Sequence, residues 1–67
     1  MKAATDLVLT STEAGVTTVT MNRPEALNAL SAGLRNRLTE VFMDLTEDSA
    51  TEVIIFTGKG RAFTVGL

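Results

Sequence analysis

The pattern of apolar and polar residues along the chain predicts two short strands, one helix and a third strand. Residues 7–11 and 16–21 are rich in β-branched side chains, which favour strands. A Gly-containing turn at residues 13–15 separates these two runs, so together they predict a β-hairpin. In the second run apolar and polar side chains occupy both faces, so we expect a partly buried strand that is not the centre of a sheet.

The longest segment with a helical period follows Ser31. Ser31 is a favoured N-cap residue, because its hydroxyl can accept a hydrogen bond from a backbone N–H group of the first turn. The apolar residues that follow recur at intervals of three and four, which places them on one face of a helix. They are Leu34, Leu38, Val41, Phe42 and Leu45. The opposite side is charged and polar, so the apolar face is predicted to be core.

A continuous apolar run, residues 53–57 (Val-Ile-Ile-Phe-Thr), follows the helix and leads into a Gly-rich loop. Such runs are typical of strands in parallel sheets covered on both faces, so we expect a buried strand. A strand, helix, strand order predicts right-handed parallel pairing of the second and third strands. The predicted fold class is therefore α/β, and ligand chemistry is expected at the loop after the third strand.

Composition narrows the possible functions mainly by exclusion. The chain has 67 residues, a net charge of −2 and no His or Cys, so it allows one small domain with a marginal core. We expect no nucleic-acid binding, because Lys and Arg form no basic cluster in the sequence. No apolar run reaches the length of a membrane span, and the N-terminus lacks the apolar stretch of a signal peptide. We therefore expect a cytoplasmic protein that binds no membrane and no metal.

Groups that could catalyse a reaction are scarce. His and Cys are absent, and most acidic residues lie on the polar face of the helix or after it, where solvated charge explains them. The backbone N–H groups of the Gly-rich loop remain, since they can be directed at a ligand oxygen and stabilise an enolate. From spacing alone the favoured alternative is an ordinary turn, in which Gly58, Gly60 and Gly66 only relieve backbone strain.

Two motifs in this sequence resemble those of a known family. Residues 20–31 contain the pattern Asn-Arg-Pro-x-x-x-Asn-Ala-Leu, and residues 57–67 are similar to a Gly-x-Gly-x-Ala-Phe-x-Ala-Gly loop. In this order and spacing they resemble the enoyl-CoA hydratase/isomerase (crotonase) family, and the resemblance spans nearly the whole chain. It implies a crotonase-like (ClpP/crotonase) α/β fold, with residues 1–67 as the N-terminal fragment of a single domain. The resemblance also favours ligand binding by the Gly-rich loop over the interpretation of that loop as an ordinary turn.

The resemblance implies an acyl-CoA or enoyl-CoA substrate, with CoA as part of the substrate and no separate cofactor. The thioester carbonyl would lie in an oxyanion hole of two backbone N–H groups, of which the first matches Leu67, directly after Gly66. Val65 matches a position whose backbone carbonyl receives the adenine amino group. The loop that lines the CoA chain near its phosphates matches Glu25, Ala26 and Leu27. Gly66, which lets a ligand approach closely, is counted with Val65 among the CoA-binding residues. The second donor and the catalytic carboxylates would lie beyond Leu67.

Two positions depart from the family pattern. Val65 stands where a small Ala is usual, which predicts a tighter or reshaped adenine pocket. Glu25 stands where Lys is frequent in hydratases, and a carboxylate there would repel a phosphate. Both departures fit a divergent member, because one scaffold in this family carries hydration, isomerisation, dehalogenation and hydrolysis.

The leading interpretation is the N-terminal part of an enoyl-CoA hydratase (a lyase) or isomerase of fatty acid metabolism. The resemblance implies that its intact form is a homotrimer or hexamer. The 67-residue chain alone is expected to be inactive, because one oxyanion donor without its partner or a base is an incomplete site. Two alternatives stay open: a non-catalytic truncated piece that associates with its own kind, and an unrelated small α/β domain.

Overall fold

A computed structural model describes residues 3–66. The elements are a 3₁₀ turn at Ala4–Asp6, β1 (Val8–Glu13), β2 (Val16–Met21), a 3₁₀ turn at Pro24–Ala26, α1 (Ala32–Thr46) and β3 (Val53–Gly58). This order confirms the predicted succession of two strands, a helix and a strand. β1 begins one residue later and ends two residues later than the β-branched run suggested.

β1 and β2 form the predicted hairpin. They pair in antiparallel register, with Val8 opposite Met21 at the open end. The turn consists of Ala14 and Gly15, whose φ angles are both positive, at 51° and 82°. Turns with two positive φ angles match the right-handed twist of the strands that they connect, so they allow the strands to pair up to the turn itself.

β2 is the middle strand of a three-stranded sheet with the order β1-β2-β3. Its parallel pairing with β3, which ends where Met21 lies opposite Gly58, confirms the predicted pairing. The expectation that the second strand is not the centre of a sheet is wrong, because β2 pairs with a strand on each side. Its residues Thr17 and Val19 are completely buried. The alternation of apolar and polar side chains along a strand indicates how its two faces are covered. It does not indicate whether one or two neighbouring strands form hydrogen bonds with its backbone.

The hydrophobic core lies between the sheet and α1. Its buried residues are Val8, Val19, Met21, Leu34 and Val41. Further residues of the predicted apolar helix face pack against it in a partly buried state, namely Leu38, Phe42 and Leu45. The helix begins as predicted, because the Oγ atom of Ser31 accepts a hydrogen bond from the backbone N–H of Leu34 at 3.2 Å.

β3 is exposed in the described part of the chain, residues 3–66, so the prediction that it is a buried strand is wrong there. The exposed fractions are 54% at Val53, 40% at Ile54, 50% at Ile55 and 40% at Phe56. Within the described part of the chain β3 is an edge strand that pairs only with β2. α1 covers it partly where the rings of Phe42 and Phe56 pack edge to face, with their centroids 5.3 Å apart. An apolar run shows that a strand tolerates cover on both faces, but the cover itself must come from other elements.

Candidate functional site

The two segments that carry the sequence motifs leave the sheet at the same edge. β2 and β3 are parallel neighbours, so their carboxyl ends lie side by side. The first motif loop, residues 22–31, follows β2, and the second motif loop, residues 59–66, follows β3. The backbone N–H of Lys59 donates to the carbonyl oxygen of Met21 at 2.8 Å, which continues the pairing of the strands into the loops.

The side chain of Asn28 joins the two loops and is completely buried. Its Oδ1 atom accepts a hydrogen bond from the backbone N–H of Arg23 at 2.8 Å, within the first loop. Its Nδ2 atom donates to the carbonyl oxygens of Lys59, at 3.0 Å, and Ala62, at 2.9 Å, in the second loop. Both amide protons and the acceptor are used, so these bonds compensate the loss of hydration.

A left-handed backbone at Leu27 and Asn28 turns the first loop towards the second. Their φ angles are 51° and 55°. This conformation suits Asn better than Leu, for which it costs about 1 kcal/mol. The backbone N–H of Asn28 donates to the carbonyl oxygen of Arg23 at 2.8 Å and closes the turn. The turn leaves the carbonyl of Leu27 and the N–H of Leu30 available to the second loop.

Two backbone hydrogen bonds use these groups. The N–H of Val65 donates to the carbonyl oxygen of Leu27 at 3.1 Å, and the N–H of Leu30 donates to the carbonyl oxygen of Gly66 at 2.9 Å. Leu27, Val65 and Gly66 are three of the residues that the resemblance assigns to CoA binding. The structure therefore brings together residues that are almost forty positions apart in the sequence.

The other predicted site residues lie on either side of this contact. Glu25 and Ala26 belong to the 3₁₀ turn at Pro24–Ala26, directly before Leu27. Glu25 is exposed and Ala26 is partly buried. Leu67, the predicted oxyanion donor, lies outside the described residues, so its role stays a prediction.

The hydroxyl of Thr64 makes a further connection between the loops. Its Oγ1 atom donates to the backbone carbonyl of Asn28 at 2.6 Å. The same atom accepts a hydrogen bond from the backbone N–H of Gly66 at 3.0 Å. One side chain thus links the buried Asn28 to the end of the described part of the second loop.

The loops approach so closely that a side chain at Gly58 has no room. A Cβ atom there would lie 2.6 Å from Nδ2 of Asn28 and would overlap the carbonyl oxygen of Phe63. At Gly60 a Cβ would lie 2.9 Å from that of Pro24, and φ is 91°. An ordinary turn accounts for the positive φ of Gly60, but it does not account for the close contact between Gly58 and Asn28.

Sequence reasoning gave no role to Asn28 or Thr64, although both stand in the quoted motifs. The signal for Asn28 was a single polar residue inside the apolar segment 26–30. Its partners lie 31 and 34 positions further along the chain, so no local pattern identifies them. Phe63 is a third such residue: its ring packs edge to face on Phe56 at 5.1 Å and fastens the second loop to β3.

The described part of the chain forms an open surface at this site. Residues 3–66 enclose no pocket, and among them no group of three or more His, Cys, Asp or Glu side chains is placed to hold a metal ion. Nor does this part of the chain contain a helix of the length and apolar character needed to cross a membrane.

Known proteins resemble this chain in sequence. The family model for enoyl-CoA hydratase/isomerase matches residues 11–67. The probable peroxisomal enoyl-CoA hydratase 1 of Arabidopsis thaliana is 40% identical over 53 residues, which are 79% of this chain and 20% of that protein. The 3-hydroxyisobutyryl-CoA hydrolase 1 of the same plant is 39% identical over 64 residues, which are 96% of this chain and 17% of that protein.

The fold is also found in solved structures. An enoyl-CoA hydratase from Mycobacterium paratuberculosis matches 91% of this chain with 44% identity and a TM-score of 0.87, over 27% of its own length. This match confirms the predicted crotonase-like α/β fold. The chain spans about a fifth of the length of the curated relatives that it matches. Since the family model covers most of the sequence, the chain belongs to the enoyl-CoA hydratase/isomerase family.

Proposed function

We propose that residues 1–67 are the first part of an enoyl-CoA hydratase or isomerase and supply one donor of its oxyanion hole, the backbone N–H of Leu67. The observation that carries this proposal is the joining of the two motif loops around Asn28, which holds Val65 and Gly66 beside Leu27. A donor stabilises a developing charge best when it is fixed in advance. The loop that leads to Leu67 is fixed in this way.

The chemistry requires little from the side chains of this segment. When water adds to an enoyl thioester, or when a proton leaves the carbon next to the carbonyl, negative charge develops on the thioester oxygen. A backbone N–H group directed at that oxygen lowers the barrier, and loss of one such donor typically costs about 100-fold to 1,000-fold in rate. The acid and base groups belong to the rest of the polypeptide, since the carboxylates of residues 3–66 are exposed or only partly buried.

The same surface is proposed to hold the CoA part of the substrate. The carbonyl of Val65 receives the adenine amino group, and Glu25, Ala26 and Leu27 lie along the CoA chain near its phosphates. In this proposal the exposed carboxylate of Glu25 weakens binding, because it carries the same sign of charge as the phosphates. The complete enzyme is proposed to be a cytoplasmic homotrimer or hexamer.

Calorimetric titration of the complete polypeptide with crotonyl-CoA tests the proposal. We expect saturable binding, and about tenfold tighter binding after Glu25→Lys, because the substitution replaces a repulsion by an attraction. Glu13→Lys is the matched control, since it makes the same change of charge at the end of β1 and should leave the Kd unchanged. No binding by the complete polypeptide would contradict the proposal.

An activity assay separates this proposal from a non-catalytic product. Hydration removes the conjugated double bond of crotonyl-CoA, so its ultraviolet absorbance falls with turnover. We expect turnover by the complete polypeptide and none by the 67-residue chain, because the proposal places the second donor and the base outside it. Turnover by the short chain would show that the site is already complete there, against the proposal.

Hydrolysis of the thioester is the second candidate reaction. One of the similar Arabidopsis proteins is named a 3-hydroxyisobutyryl-CoA hydrolase, and its identity to this chain is almost that of the hydratase. The same N–H group would then stabilise a tetrahedral intermediate. Release of free CoA, measured with a thiol reagent, distinguishes the two reactions, because hydration and isomerisation leave the thioester intact.

A further inference from the structure

We propose that the hydroxyl of Thr64 is a positioning group for the end of the second motif loop. It binds the N–H of Gly66 and so holds the residue directly before Leu67, whose own N–H lies outside the described residues and is the group proposed above to polarise the thioester carbonyl. The inference rests on the proposed function in one respect, namely that this amide faces the thioester oxygen.

The hydroxyl is well placed for such a role, because it makes one hydrogen bond to the first motif loop and one to the second. Oγ1 donates to the carbonyl oxygen of Asn28 at 2.6 Å and accepts from the N–H of Gly66 at 3.0 Å. A hydroxyl that donates and accepts at the same time has a defined orientation, and bonds in such a chain strengthen one another. Asn28 is a firm anchor, since its own side chain makes three hydrogen bonds.

Gly66 depends on these hydrogen bonds for its orientation. A Cβ atom at Gly66 would meet nothing within 4 Å, and its φ is 82°, so close packing does not fix this residue. Its N–H is bound by Thr64, and its carbonyl oxygen accepts the N–H of Leu30 at 2.9 Å. The bond from Thr64 thus holds the peptide group before Gly66, and the bond from Leu30 holds the peptide group after it. Because each peptide group is planar, the two bonds together leave Gly66 little freedom to rotate.

A matched pair of substitutions separates positioning from a general structural role. Thr64→Val keeps the shape of the side chain and removes the hydroxyl, whereas Thr64→Ser keeps the hydroxyl and removes a methyl group. If Thr64 served only to fill space, Val would be the better substitute. If it positions the loop, Ser is the better substitute.

The experiment uses the complete polypeptide and crotonyl-CoA labelled with ¹³C at the thioester carbonyl. Infrared difference spectra report the C=O stretch, which falls in frequency as hydrogen bonds polarise the carbonyl. For Thr64→Val we expect about half of this fall to be lost and kcat to decrease about tenfold, with KM within about twofold of wild type. Thr64→Ser should restore both. A Thr64→Val enzyme with the wild-type stretch and kcat, or a Thr64→Ser enzyme with the same defect, would overturn the proposal.

A second measurement keeps the inference separate from the proposed function. If the wild-type protein binds no crotonyl-CoA, the proposed function fails, and the positioning is then tested by amide hydrogen exchange in NMR spectra. Exchange at Gly66 should be about tenfold faster in Thr64→Val and unchanged in Thr64→Ser, because only the former removes the acceptor. If Thr64→Val does not fold, Thr64→Ala replaces it. Unchanged exchange in the variant without a hydroxyl would overturn the inference.

Discussion

The core beneath α1 and the pair of motif loops are held together by different forces. The core residues Val8, Val19, Met21, Leu34 and Val41 are apolar, and their burial stabilises the chain without fixing any single direction. The loops are organised around a buried polar residue, Asn28, whose hydrogen bonds have defined partners and angles. The comparison indicates that the core determines whether the chain folds and the loops determine where their amides point.

The two regions should therefore respond differently to substitution. Loss of apolar contacts in a small core lowers the free energy of unfolding of the whole chain, because the core has few residues to share the loss. Loss of a hydrogen bond between the loops should open those loops first. The following predictions test this difference, beginning with the largest expected effect.

Leu34→Ala should produce the largest loss of stability. Leu34 is completely buried, so the substitution leaves a cavity and should lower the free energy of unfolding by about 3 kcal/mol. Met43→Ala is the matched control on the same helix, since Met43 is 65% exposed and should cost less than about 0.5 kcal/mol. Urea unfolding followed by circular dichroism measures both. Equal losses would show that α1 does not carry the core.

Asn28→Asp should cost about 2 kcal/mol, because it removes both donors and places a second oxygen against the carbonyls of Lys59 and Ala62. Hydrogen exchange should become faster in the motif loops and stay unchanged in α1. Asn36→Asp, on the exposed face of α1, is the control and should change little. Faster exchange throughout α1 after Asn28→Asp would break the comparison, since it would make the loops part of the same cooperative unit as the core.

The two regions also differ in how far the sequence predicts them. A local period predicts Leu34, because a helix brings together residues three and four positions apart, and the capping preference of Ser predicts Ser31 directly before that helix. The bonds of Asn28 join residues 31 and 34 positions apart, and the choice among possible partners is made by the paired ends of β2 and β3. The exposure of Phe56 could not be predicted for the same reason, since it depends on which elements cover β3.

Gly66→Ala and Gly33→Ala should change stability in opposite directions. Gly66 has open space around its Cα but a φ of 82°, so Ala should cost about 1 kcal/mol through backbone strain. Gly33 lies in the first turn of α1, where an added Cβ would meet Leu7 at an ordinary 3.5 Å. Ala at Gly33 should stabilise the chain by about 0.5 kcal/mol, because it favours the helix. Thermal unfolding of both variants tests this prediction. A higher stability of the Gly66→Ala variant would show that the φ angle of Gly66 does not strain a residue with a side chain.

The smallest effect is expected at Asp48, at the surface end of a polar network that continues through the Thr51 hydroxyl to the buried Thr17 hydroxyl, 2.7 Å from it. The Thr51 hydroxyl donates to Oδ2 of Asp48 at 2.7 Å and the backbone N–H of Ala50 donates to Oδ1 at 3.0 Å. These bonds favour the carboxylate and hold the pKa of Asp48 below its ordinary value of 3.8. Since the folded-state pKa is depressed, the stabilisation is present above pH 3.8 and is lost as the pH falls through the folded-state value.

Thr51→Val and Thr51→Ser test this contribution. Val removes the donor, so the pKa of Asp48 should rise towards 3.8, whereas Ser keeps the donor and should leave the pKa unchanged. NMR titration of the ¹³C-labelled carboxyl group measures the value directly. Because water competes for hydrogen bonds at the surface, amide exchange at Gly66 and in α1 should stay as in wild type. Faster exchange at Gly66 in Thr51→Val would couple this network to the motif loops and would contradict the prediction.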